Sequence, residues 1–123
     1  MVATLPPEVL AAETRIKPIR GLSPQWQLVQ TPRYKDFTEV LRGLLDRGIA
    51  PAEIAGNREI MLTVIAPKAS ALDVKDATEL FSLDLDARPG FRRAGLKARI
   101  DRLVDINREL KARDAVIEHF YDY

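Results

Sequence analysis

The amino-acid sequence predicts a mainly α fold: a small helical domain with one long C-terminal amphipathic helix, room for a minor two-stranded β element, and an extended N-terminal arm. Three observations carry that prediction. Apolar residues recur at helical spacing from Phe91 to Ile117, and again from Tyr34 to Arg47. Residues 15–33 are broken by Pro18, Gly21, Pro24 and Pro32 and keep no helical period. The chain divides accordingly into a short helix and arm over 1–33 and a compact helical domain over 34–123, together one domain by length.

The segment 91–117 dominates this reading. Leu96, Ile100, Leu103, Asn107, Leu110 and Ile117 fall on one stripe of a helical wheel, with Val104 and Ile106 on its shoulders. Leu, Lys, Arg, Glu and Ala, all good helix formers, fill most of it. At ~1.5 Å per residue the helix would run ~40 Å, enough to span a body of this size or project from it. Asn107 interrupts the seam as register-fixing polar residues do between paired helices. Asp114 also falls on the seam, so the interface weakens or the helix bends there. Arg88 to Arg113 holds nine bases against three acids. Arg92, Arg93, Lys97, Arg99 and Arg102 form the densest basic patch. The seam then packs either in the chain's own core, with solvated arginines, or on a less basic partner.

The remaining elements follow in order. PPEVLAAET, 6–14, reads as a short helix with Pro6 or Pro7 in its first turn. The arm that follows carries Ile16, Ile19, Leu22, Trp26, Leu28 and Val29, too apolar for a solvated linker. Trp26 is the type of residue that anchors an interface, or else fills a small core. In 34–47, Phe37, Val40, Leu41, Leu44 and Leu45 share a face, and Gly48 supplies the stop. Gly43 within that helix suggests a close crossing by another helix. Pro51 opens one or two further helical turns. REIMLTVIA, 58–66, reads as a buried strand, with a helix as the alternative. Residues 73–81 read as a short helix capped by Asp73 or Ser70. Phe81, Leu83 and Leu85 then alternate with Ser82, Asp84 and Asp86, a strand able to pair with 58–66 as a two-stranded ribbon. ARPG at 87–90 is a turn, and the C-terminal EHFYDY is rich in aromatics.

Composition narrows the function. Net charge is +1, which does not advertise a nucleic-acid binder. The middle, 34–86, carries ten acids against six bases, opposite in sign to the segment after it. Without cysteine, disulfides, thiol catalysis and cysteine-based metal sites are excluded. No phosphate-binding glycine loop occurs, His119 is the lone histidine, and no serine sits in a nucleophile-elbow turn. Asp84 and Asp86 lack a third acid at calcium-loop spacing. The expectation is therefore no catalytic residue, no metal and no cofactor. No signal peptide is visible, and the longest apolar run falls short of the ~20 residues of a membrane span, which predicts a soluble chain in the cytoplasm or within a virus-like particle.

The functional expectation is a non-enzymatic structural or interaction subunit of a larger assembly, such as a virus particle or a multiprotein machine, forming homo- or hetero-oligomers. Its expected interface joins Ile19, Leu22, Trp26 and Leu28 of the arm to the seam (Leu96, Ile100, Leu103, Asn107, Leu110, Ile117) and the tail (Phe120, Tyr121). The alternative is a nucleic-acid-associated protein using the basic flanks of 91–117.

Overall fold

Seven strands, three α-helices and one 3₁₀ turn make up the described residues, 2–3, 7–21, 26–32 and 34–121, of the computed structural model. In chain order they are β1 (Val2–Ala3), α1 (Pro7–Ala12), β2 (Lys17–Gly21), β3 (Trp26–Gln30), α2 (Tyr34–Asp46), β4 (Glu59–Pro67), β5 (Ala77–Asp84), β6 (Phe91–Arg99), the 3₁₀ turn Ile100–Arg102, α3 (Leu103–Ala112) and β7 (Val116–Tyr121). The strands form two antiparallel sheets, one ordered β1-β3-β2 and one ordered β5-β6-β4-β7.

The larger sheet holds the core. On β4, Ile60, Leu62, Val64 and Ala66 face inward, and the register sets Ile60, Leu62 and Val64 opposite Ala98, Leu96 and Ala94 of β6. Alternation of side chains along a strand produces this arrangement from a run with no helical gap. Leu103, Ile106 and Leu110 of α3, Phe37, Leu41 and Leu45 of α2, and Ile117 and Phe120 of β7 complete the same cluster. β5 begins opposite the end of β6 where β4 also begins, so 68–76 runs back along the sheet. That return buries Leu72 and Val74 against the core.

The mainly α expectation is overturned, because the long helix does not exist. Residues 91–99 are the central strand β6, 100–102 are 3₁₀, 103–112 are α3, and 116–121 are the edge strand β7. Ala94, Leu96, Ala98 and Ile100 satisfy period two as well as Leu96, Ile100 and Leu103 satisfy the helical period. Alanine and lysine favour the helix locally, and pairing with the β-branched β4 overrides them. Asp114, with φ of 57°, ends α3 rather than bending it. The amides of Asp114 and Ala115 donate to the carbonyls of Lys111 and Leu110, at 3.1 and 2.9 Å, a Schellman closure with aspartate in the glycine position.

Shorter readings also change, among them the helical turns expected after Pro51, where the loop instead closes on a bridge between Ile54 and Asn57. The helix expected over 73–81 is absent; β5 starts at Ala77. The ribbon between 58–66 and 81–86 is not formed, since β6 lies between β4 and β5. The arm is not an unstructured extension, because β2 and β3 pair as a hairpin. Pro18 is accommodated on the outer strand of that hairpin, next to a register shift at Ile19. Gly43 has open space around it, so it marks no close crossing.

The strand at 59–67 and the amphipathic helix at 34–46 form as the sequence predicts. α2 serves two cores. Phe37, Leu41 and Leu45 face the large sheet, while Val40 and Leu44 pack with Val9 of α1, Ile16 and Val29. Gly48, with φ of 76°, closes α2, its amide and that of Ile49 donating to Leu45 and Leu44.

Candidate interaction surface

The seam residues lie inside the protein. Leu96, Ile100, Leu103, Leu110, Ile117 and Phe120 are buried in the main core, contributed by β6, the 3₁₀ turn, α3 and β7. They share no single face, because they belong to different elements. Asn107 is buried too, and its Nδ2 donates to Asp46 Oδ1 at 2.9 Å. Lys111 Nζ pairs with the same oxygen. The Asp46 carboxyl is held below its ordinary range, first by Lys111 and then by Asn107. Asn107 thus sets register between α3 and α2 within one chain.

The basic patch is dispersed and paired. Arg92 points to the helix side of β6 and binds Glu79, Ser82 Oγ and the Ser70 carbonyl. Arg93 engages Glu118, Lys97 reaches Glu59 at 3.6 Å, Arg99 reaches Asp101 at 2.8 Å, and Arg102 reaches Asp76 at 3.5 Å. Each of the five bases therefore has a carboxylate beside it. His119 lies within β7, its Nδ1 3.3 Å from Oγ1 of the buried Thr38, which also accepts the Phe120 amide at 3.0 Å. Among the described residues no group of three His, Asp or Glu has the geometry to hold a metal ion.

On the arm, Ile19 is exposed and Leu28 half-buried, while Leu22 lies outside the described residues. Trp26 shares the walls of an open cleft of about 600 Å³ with Arg58, Arg99 and Asp101. The fold thus brings one arm residue, Trp26, and one residue of the predicted basic patch, Arg99, together from distant positions.

The outer face of the large sheet is the surface that the helices leave uncovered. Arg93 and Glu118 meet across its middle strand β4 in a two-pronged pair, Nε to Oε1 at 2.8 Å and Nη2 to Oε2 at 2.7 Å. Thr63 beneath them donates to Glu118 Oε1 at 3.0 Å and is almost wholly buried. The Glu118 carboxyl is held below its ordinary range, chiefly by Arg93 and further by Thr63. At one side of this polar centre lies β5, an outermost strand exposed along nearly its whole length. Leu80 is 51%, Phe81 37% and Leu83 58% exposed. A register shift at Leu80 interrupts its pairing with β6. The alternation of Phe81 and Leu83 was visible in the sequence; that it faces outward was not.

No helix among the described residues is long and apolar enough to cross a membrane. Compared with known proteins, the chain matches no family model, no curated protein and no solved structure.

Proposed function

We propose that this protein is a non-enzymatic interaction subunit whose partner adds a strand along the free edge of β5. One observation carries the reading. Of the six exposed large hydrophobic side chains among the described residues, Leu80, Phe81 and Leu83 sit on this one edge strand, whose outer side is unpaired. An open edge offers backbone N–H and C=O groups in register, and apolar side chains beside it supply burial when another strand joins. Glu79, Asp84 and the register shift at Leu80 are the features that restrain unselective pairing.

Trp26 and Ile19 on the hairpin give a second apolar exposure, separate from β5. The pairing of all five patch bases with carboxylates favours a protein partner over a phosphate backbone, whose affinity depends on cations that release counterions.

A photo-crosslinking amino acid at position 80 or 83, expressed in the native host, tests the proposal, with position 35 on α2 as control. Discrete protein adducts are expected from 80 and 83 and none from 35. Equal labelling at all three positions, or none at 80 and 83, would remove the reading.

A further inference from the structure

A second feature, independent of β5, lies where the two cores meet. Because α2 feeds both, a groove of about 420 Å³ remains between this helix, the β2–β3 hairpin and the 51–56 loop. That volume lies within the range of small-molecule sites, ~300–1,000 Å³. Leu28, Val29 and Ile54, each half-buried, supply its apolar walls, over a floor of Phe37, Leu41 and Leu44 that the core already buries almost fully.

Arg20 also lines the groove, and it makes no ion pair among the described residues. Arg42, Arg47 and Arg58 also make no ion pair among the described residues, but Arg20 is the arginine that lines the groove. Glu53 lines the groove as well and has an interaction of its own. The loop is closed by a two-residue turn in which Ala55 and Gly56 have φ of 50° and 80° and Ile54 and Asn57 exchange both backbone hydrogen bonds. A left-handed alanine is strained, and such strain persists where surrounding structure demands it.

We infer that this groove binds a small amphipathic carboxylate, its alkyl chain on Leu28, Val29 and Ile54 and its carboxylate on Arg20. An apolar trough with one unpaired guanidinium at its wall matches that chemistry at both ends. A neutral chain leaves the guanidinium unused, and a cationic one is repelled by it. A planar guanidinium binds a carboxylate through two parallel hydrogen bonds.

Decanoate is the probe, titrated into the full chain and followed by amide chemical shifts, with 1-decanol and decyltrimethylammonium as the neutral and cationic counterparts. Saturable one-to-one binding of decanoate is expected, with shifts confined to the hairpin, α2 and 51–57. Arg20→Gln should weaken it about tenfold and level it with decanol. Leu28→Trp should fill the groove and abolish binding; should that variant fail to fold, Arg20→Gln still decides. Non-saturable binding, decanoate affinity unchanged in Arg20→Gln, equal affinity for all three amphiphiles, or shifts centred on β5 would each overturn the inference.

Discussion

The Phe81 ring occupies the space that a side chain on Gly95 would need: a Cβ added to Gly95 would lie 2.2 Å from Phe81 Cε1. The two residues are directly paired across β5 and β6. The edge strand is therefore held partly by an aromatic ring seated on a bare backbone, an arrangement known to rescue glycine in sheets.

Gly95→Ala should accordingly loosen β5. Phe81 is 37% exposed, so the ring can swing away, and the loss should be about 1 kcal/mol rather than the ~3 kcal/mol of a sealed core. In Phe81→Ala the alanine at 95 should cost almost nothing. Urea denaturation of the four variants measures the coupling, and additive effects would contradict the packing.

The terminus of α3 offers a test by sign. Asp114 has φ of 57°, so Asp114→Gly should stabilise the protein by about 0.5–1 kcal/mol by relieving left-handed strain. A continuous helix through 114 would make the same change destabilising by up to ~1 kcal/mol. A thermal melt of the two proteins distinguishes these outcomes.

Burial divides residues that look alike in the sequence. Leu110→Ala should cost about 2–5 kcal/mol because its side chain is fully enclosed by the core. Leu83→Ala, on the outer face of β5, should stay within about 0.5 kcal/mol in the isolated chain. Comparable losses at both sites would mean that β5 is covered.

Acid should weaken the fold through named carboxylates. Glu118, Asp46 and Glu13 all have lowered folded pKa values, owing first to Arg93, Lys111 and Arg15 respectively. A lowered folded value stabilises above the unfolded one, near ~4, and the gain is lost as pH falls through the folded value. Stability should thus decline below about pH 5. Glu118→Gln should flatten part of that slope and cost about 0.5–1 kcal/mol at neutral pH, since the pair is partly solvated. An unchanged acid slope in Glu118→Gln would show that the Arg93 pair contributes nothing.

Asn107 is the remaining buried polar side chain whose partner matters. Asn107→Ala removes a donor from Asp46 and should cost about 1–3 kcal/mol. The loss should shrink in an Asp46→Ala background, as a double-mutant cycle in urea would show.

What the sequence determined by itself is local. The amphipathic face of α2 and its glycine stop are written in consecutive turns, as are the β-branched run of β4 and the turn before β6. The short helix α1 was legible for the same reason. The Schellman closure of α3 was not, because Asp114 takes the conformation that glycine advertises. The outcome at 91–99 lay beyond any local reading, since Ala94, Leu96 and Ala98 satisfy two periods at once. Only the neighbouring β4 decides between them, by pairing its backbone along the whole of β6. Tertiary structure likewise turned the seam into core, distributing Leu96, Ile100, Leu103, Leu110 and Ile117 among separate elements. It also set each base of the presumed patch beside an acid distant or local in sequence, and left β5 as the uncovered strand. Helix periodicity is carried within one segment, whereas sheet order, crossover and exposure depend on contacts between segments that no single stretch encodes.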